Sequence, residues 1–128
     1  MRLWRLLVSL WLVVVVSACQ SVSTLGESSL IWISLVTLLG NPPEYDNIHV
    51  ETMGFLVDER VPDLFLTRDH AEAYDVSSGI PLLSDEGISS NCFDRYVYVI
   101  GRFVLDHEDV GRYIQVQSIR DALTRETC

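Results

Sequence analysis

The 128-residue chain contains no lysine, and all nine of its basic side chains are arginines. It therefore has no Ser-x-x-Lys nucleophile motif, and it also lacks the Gly-x-Ser-x-Gly pattern of serine hydrolases. Eighteen acidic residues set the net charge at −9. Because the chain lacks the basic surface that supplies most non-specific affinity for nucleic acid, we expect no nucleic-acid partner.

Metal-ligating patterns are also scarce. The three histidines share no local spacing that is typical of a metal site. A hard cation such as calcium could use the oxygens of one acidic run, but the spacing of that run matches no EF-hand loop. We interpret this run and a second acidic cluster as solvated turns and predict no catalytic residue, no metal and no cofactor. They are Asp106-His107-Glu108-Asp109, and Asp69-His70 with Glu72.

An apolar run stands at the N-terminus. Arg2 and Arg5 precede an apolar stretch from 6 to 16, and the small residues Ser17 and Ala18 follow it. This is the layout of a secretory signal, and the stretch is short for a membrane-spanning helix, which needs about 20 residues. We predict a signal peptide over 1–18. Cleavage without lipidation and an uncleaved N-terminal anchor are the alternatives.

The residues that end this run, Val16-Ser17-Ala18-Cys19, resemble the lipobox of bacterial lipoproteins, with Val16 in place of the commoner leucine. The resemblance implies that Cys19 becomes the first mature residue and carries a diacylglyceryl thioether and an acylated (palmitate-type) amine. Gln20 stands where an aspartate favours inner-membrane retention, so the resemblance implies a lipoprotein of the outer membrane that faces the periplasm. The membrane is then a partner through the N-terminal lipid.

Removing residues 1–18 from the 128 leaves 110, which suits one domain. Arg2 and Arg5 are two of the nine bases and no acid precedes Cys19, so seven arginines face eighteen carboxylates, a net charge of −11. The polar segment 19–29 is predicted to be a flexible tether, and 30–128 the domain. Cys92 and Cys128 form a possible disulfide in an oxidising compartment; because chain ends fray, the alternative is that they stay unpaired.

The sequence predicts a mainly β domain. Ser34 is predicted to cap a short helix over 34–40, although its β-branched residues also allow a strand, and a helical turn is predicted at 69–74. Five strands are predicted at 48–58, 64–67, 80–83, 96–105 and 112–119, with a polar loop over 84–91. Val50-x-Thr52-x-Gly54 matches Val97-x-Val99-x-Gly101. A glycine inside a strand marks a bulge or bend, so this repeat predicts a small, strongly curled barrel.

The run from Leu38 to Phe55 contains Asn41-Pro42, Tyr45-Asp46-Asn47 and Val50-x-Thr52-x-Gly54. Together with Tyr96-Val97-Tyr98-Val99-Ile100-Gly101-Arg102-Phe103, it resembles a family of small bacterial OB-fold-like envelope domains. The match extends over about 34–119 and departs at Asn47, where the family usually has glycine; asparagine tolerates the same left-handed conformation. The resemblance implies a small five-stranded OB-like barrel with a short N-terminal helix.

Strand alternation places one set of apolar side chains outside the barrel. This set is Met53, Phe55, Val57, Tyr96, Tyr98 and Ile100. Such a surface needs a cover, and we expect the 34–40 helix to pack on it; the alternative is a partner or ligand face. OB folds commonly bind on their second and third strands, where this chain has Phe65, Arg68 and Tyr74.

Composition and resemblance together predict a non-catalytic protein-interaction module that binds an envelope protein. The alternative is a small-ligand binder for an oligosaccharide, a peptidoglycan fragment or a divalent cation. An enzyme is the least favoured class. The candidate contact residues are Phe65, Arg68, Tyr74, Phe55, Tyr96 and Tyr98.

Overall fold

The computed structural model describes residues 29–106, 108 and 111–128. The predicted signal peptide, Cys19 and nearly all of the predicted tether lie outside these residues. Among the described residues the structure is mainly β. Its six strands are β1 (Ile31–Trp32), β2 (His49–Asp58), β3 (Pro62–Phe65), β4 (Gly79–Leu83), β5 (Arg95–Asp106) and β6 (Gly111–Asp121). No helix in this part of the chain has the length and apolar character needed to cross a bilayer.

Two short α-helices and three 3-10 turns connect these strands: α1 (Leu35–Gly40), α2 (Arg68–Glu72), and the turns Pro42–Tyr45, Val76–Ser78 and Ser90–Cys92. The predicted cap of α1 is confirmed, because the Ser34 hydroxyl accepts the Thr37 backbone N–H at 3.3 Å. Thr67 caps α2 in the same way through the His70 N–H.

The strands form one sheet in the order β1-β2-β3-β4-β6-β5, and β2 also pairs with β5. The pairs are antiparallel except β1 with β2 and β4 with β6, which are parallel. All five predicted strands are present, but the number five was wrong. β1 is a sixth strand of only two residues, too short for an alternating pattern to reveal.

Both repeated mid-strand glycines allow a close approach of strands, since a Cβ on Gly101 would clash with the Gln115 carbonyl oxygen, and Gly101 also coincides with a register shift. The β5–β6 register shifts between Ile100 and Gly101, so the predicted bulge is confirmed there. At Gly54 the register is continuous, and a Cβ would lie 2.6 Å from the Phe65 carbonyl oxygen. Gly54 therefore permits a close approach of strands. Asn47 has a φ of 63°, the left-handed conformation predicted for it.

The core lies on the inward side of the sheet. The inward positions predicted on β2 and β5 are confirmed as buried. The prediction that α1 covers the outer face was wrong: Leu35 and Leu38 are buried in the same core as the inward strand residues. The residues of this core are Ile33, Leu35, Leu38, Val50, Leu56, Leu64, Ile80, Leu82, Cys92, Val97, Val99, Phe103, Ile114 and Ile119.

Candidate functional site

A row of aromatic side chains crosses the outer face of the sheet. Tyr96 on β5 pairs with Phe55 on β2, and Phe55 pairs in turn with Phe65 on β3. The Phe55 and Tyr96 rings meet edge-on at 5.2 Å between centroids. Tyr74, from the β3–β4 connection, lies 6.4 Å from the Phe65 ring. We call Tyr96, Phe55, Phe65 and Tyr74 the aromatic strip.

A glycine makes room for the strip. Phe65 pairs with Gly79 on β4, and a Cβ on Gly79 would lie 2.9 Å from Cε1 of the Phe65 ring. The ring therefore lies flat over the next strand, where any larger residue would displace it. This cross-strand arrangement explains why an outward-pointing phenylalanine is only 1% exposed.

Arg68, the first residue of α2, covers the middle of the strip. Its guanidinium carbon lies 5.1 Å from the Phe55 ring centroid, and its backbone N–H donates to the Tyr96 hydroxyl at 3.3 Å. Phe55 is consequently only 4% exposed. The two phenylalanines are therefore largely buried, and they offer a ligand little exposed surface of their own.

The ends of the strip remain open to solvent. Tyr74 is 55% exposed and Tyr96 is 40% exposed. Tyr98, two residues beyond Tyr96, lies outside the strip, and the Arg125 guanidinium stands 4.6 Å from its ring centroid. The structure thus joins Phe55, Phe65, Arg68, Tyr74 and Tyr96 into one cluster and places Tyr98 under the C-terminal turn.

An open groove of about 260 Å³ begins where the strip ends, on the outer side of β3 and β4. Tyr74, Val76 and Pro81 supply apolar surface, while Arg60 and Asp63 bring charges of opposite sign. Its full lining is Arg60, Val61, Asp63, Phe65, Tyr74, Val76, Gly79 and Pro81. A second hollow shares Val76, Gly79 and Pro81 and continues to Gly111 and Arg112 on β6.

No protein-family model, curated protein or solved structure matches the chain.

The β3–β4 connection that carries Tyr74 and Val76 is held by Asp75. Its carboxylate accepts hydrogen bonds from the Ser77 and Ser78 hydroxyls, each at 2.6 Å. These bonds lower the pKa of Asp75 below its usual 3.8. Tyr74 itself has a φ of 50°, so the backbone at the rim of the groove is in a conformation that tyrosine rarely adopts.

Asp63 is a groove residue whose carboxyl pKa is raised. Partial burial raises the pKa of its carboxyl above 3.8, and the nearby Glu59 raises it further. Arg60, Val61, Asp63, Val76 and Pro81 were not predicted from the sequence. Alternation from the buried Leu64 and Ile80 would have placed Asp63 and Pro81 outward, but no local pattern brings Val76 over them.

The cluster of Asp69, His70 and Glu72 lies on α2, among the described residues. Among the residues that the structure describes, no three His, Cys, Asp or Glu side chains are grouped to hold a metal. His70 Nδ1 lies 2.7 Å from the Thr67 hydroxyl at the start of α2. His107 and Asp109 lie outside the described residues.

Cys92 and Cys128 are joined by a disulfide with their Cα atoms 5.5 Å apart. The bond ties residue 128 to the 3-10 turn before β5. The Cys128 N–H also donates to the Ile119 carbonyl at 3.1 Å. The C-terminal turn that holds Arg125 over Tyr98 is therefore attached at both of its ends.

Proposed function

We propose that the chain is the precursor of a lipid-anchored bacterial envelope protein whose OB-like domain binds another envelope protein without catalysis. The observation that carries the binding proposal is the groove on β3 and β4. It combines exposed aromatic and aliphatic surface with one guanidinium and one half-buried carboxyl. Aromatic and arginine side chains are enriched at protein interfaces.

The lipid anchor is supported by the N-terminal sequence. Val16-Ser17-Ala18-Cys19 follows a basic and then apolar segment, the order that a lipoprotein signal has. In this proposal residues 1–18 are removed, Cys19 is acylated, and Gln20 directs the protein to the outer membrane, facing the periplasm.

The OB-like assignment is supported by the strand pairing. Leaving aside β1, the order β2-β3-β4-β6-β5 returns to β2. This is a five-stranded closed path of the kind that OB folds use. β3 and β4 then stand as the second and third strands of the barrel, which is the face on which OB folds bind ligands, together with the loops after the first and fourth strands.

The position of the groove agrees with this proposal. Arg60 and Val61 come from the β2–β3 turn, while Gly111 and Arg112 follow the β5–β6 turn. A partner in the groove would therefore contact the β2–β3 turn and the two strands, and one that extended into the second hollow would reach the start of β6. The net charge of −11 for the mature chain argues against a polyanionic partner such as a nucleic acid.

Photocrosslinking in intact cells tests the binding role. A photoreactive phenylalanine analogue replaces Val76, which is 66% exposed at the groove. We expect one discrete protein adduct, and we expect it to disappear when Pro81→Asp is added, because a carboxylate then occupies the apolar floor. The same analogue at Leu123, which is 93% exposed outside the groove, is the matched control and should give no such adduct.

Equal adducts from positions 76 and 123, or an adduct that survives Pro81→Asp, contradict the groove as the binding site. The small-ligand alternative predicts another result: no protein adduct, and a rise in melting temperature when an oligosaccharide or peptidoglycan fragment is added, because ligand binding stabilises the native state. The exposed ring of Tyr74 is the feature that would stack on such a sugar.

A further inference from the structure

Exposed apolar side chains are concentrated where the domain begins. Leu30, Ile31, Trp32 and Val36 are 45%, 41%, 63% and 60% exposed. We call these four residues the N-terminal apolar surface: Ile31 and Trp32 point to opposite sides of the edge strand β1, Leu30 precedes it, and Val36 lies on α1. They lie within a run, 28–43, that contains no charged residue and no histidine, although the chain as a whole has eighteen acidic residues. This uncharged stretch of sequence therefore interrupts an otherwise acidic domain.

The charged side chains nearest this surface form an ion pair with each other. Trp32 pairs with Glu51 near the start of β2, so the nearest partner on that strand is acidic. The Glu51 carboxylate is itself bound by the Arg120 guanidinium at 2.7 Å. Val36 is exposed on α1, whereas Leu35 and Leu38 of the same helix are buried.

We propose that the N-terminal apolar surface lies on the phospholipid interface of the membrane in which Cys19 is anchored. The inference rests on the lipid anchor proposed above. Ten residues, 20–29, separate Cys19 from Leu30. Fully extended they span at most about 35 Å, so the start of the domain stays within that distance of the lipidated residue.

The chemistry of the surface fits a lipid interface. Tryptophan favours the headgroup region, where its ring is buried and its N–H is solvated, and leucine, isoleucine and valine reach the acyl boundary. The acidic remainder of the domain is repelled by anionic headgroups. The uncharged surface is consequently the orientation in which the domain approaches the bilayer at least electrostatic cost.

This orientation of the domain also determines which end of the groove faces away from the bilayer. β2 leaves the N-terminal apolar surface at Glu51 and ends at Asp58, next to the turn with Arg60 and Val61. The rise of a strand, about 3.3 Å per residue, puts this turn some 25 Å away along β2. The turn end of the groove then points away from the bilayer, toward a partner in the periplasm.

Trp32 is the only tryptophan left once Trp4 and Trp11 are removed with residues 1–18, so its fluorescence reports on this surface alone. The full chain is expressed, and the mature protein is purified and reconstituted into phosphatidylcholine vesicles, with and without brominated acyl chains. We expect its emission to shift to shorter wavelength in vesicles and to lose intensity with the brominated lipid. We also expect both effects to persist in high salt, because the surface is uncharged.

The double variant Leu30→Asp, Val36→Asp should lose this quenching. Asp at 36 stands in the first turn of α1, where a carboxylate favours the helix, so the variant should remain folded. The matched control is Leu83→Asp. Leu83 is 42% exposed and lies at the end of the sheet where β2 finishes, so the Trp32 fluorescence of this variant should be quenched as in the wild type. Circular dichroism of all three proteins checks their fold.

Three results overturn the proposal. Lipid-modified protein that stays in vesicles with Trp32 unquenched shows an anchored domain that does not dock. A shift that grows with the protein-to-lipid ratio but gives no bromine quenching shows that a second copy covers the surface. Full quenching in the double variant shows contact through another face. If the mass of the mature protein lacks the lipid at Cys19, the anchor proposal fails as well, and mass spectrometry separates that outcome from the others.

Discussion

The Arg68 guanidinium lies 5.1 Å from the Phe55 ring centroid, and the backbone N–H of the same arginine donates to the Tyr96 hydroxyl at 3.3 Å. One residue of α2 thus covers a phenylalanine of β2 and binds a tyrosine of β5. Arg68 therefore shields an outward-facing ring from water, and we expect it to stabilise the aromatic strip.

We expect Arg68→Ala to lower the free energy of unfolding by about 1 kcal/mol, because it removes a cation–π contact and uncovers the Phe55 ring. Urea unfolding followed by circular dichroism measures the change. Arg60→Ala, at an exposed position in the β2–β3 turn, is the control and should shift stability by less than about 0.5 kcal/mol. Equal effects of the two substitutions would show that the ring contact is irrelevant to stability.

Substitution by alanine should lower the free energy of unfolding at Gly54 but not at Gly40. At Gly54 a Cβ meets the Phe65 carbonyl oxygen at 2.6 Å and Leu64 Cγ at 2.7 Å. Gly54→Ala should therefore destabilise the fold by roughly 1–3 kcal/mol through overpacking. At Gly40, the last residue of α1, nothing lies within 4 Å, and alanine should be neutral or stabilising. The unfolding temperatures of both variants test this prediction. A Gly54→Ala variant as stable as the wild type would contradict the close approach of β2 and β3.

The disulfide should contribute substantially to stability. Cys92 and Cys128 are separated by 36 residues, and closing a loop of that length contributes roughly 4 kcal/mol in the chain-entropy account. We expect Cys128→Ser to lower the unfolding midpoint and to make it insensitive to reductant, while the wild type loses stability on reduction. Detection of free thiols in the oxidised wild-type protein would argue against the bond.

Asp121 should stabilise the fold at neutral pH. Its carboxylate accepts the Thr124 and Leu123 backbone N–H groups and pairs with Arg95 at 2.9 Å, and these partners hold its pKa below the usual 3.8. Its contribution is present above the unfolded pKa and is lost as pH falls through the lower, folded pKa. Asp121→Asn should thus be less stable than the wild type at pH 7, and the difference should shrink below about pH 4. A difference independent of pH would contradict this role.

Asp63 should show the opposite behaviour. Because burial and Glu59 raise its pKa in the folded state, the ionised carboxylate opposes folding at neutral pH, and the cost disappears once both states are protonated in acid. We expect Asp63→Asn to be more stable than the wild type at pH 7 and no more stable well below pH 3.8. Urea titrations across this range measure it. A destabilised Asp63→Asn at pH 7 would show that the charge is compensated in the groove.

Much of the local structure was readable in the sequence. Alternation identified the inward residues of β2 and β5 because a strand presents a side chain to each face in turn. Ser34 was recognisable as a cap, and Asn47 as a left-handed turn residue, because these preferences depend on their own backbone neighbours. The boundaries of four predicted strands agree with the structure to within one or two residues, whereas the strand predicted at 64–67 is observed two residues earlier, at Pro62–Phe65.

The sequence by itself determined the approximate positions of the five longer strands, which side chains of β2 and β5 point inward, and how acidic the domain is. The tertiary structure alone decided that α1 enters the core, that the two-residue β1 joins the start of β2, and that Phe55 and Phe65 are covered by Arg68 and Tyr74. The physical reason is the distance along the chain over which each interaction acts. Alternation and capping act over a few residues, whereas the cover of an outward side chain comes from segments brought together only when distant strands pair.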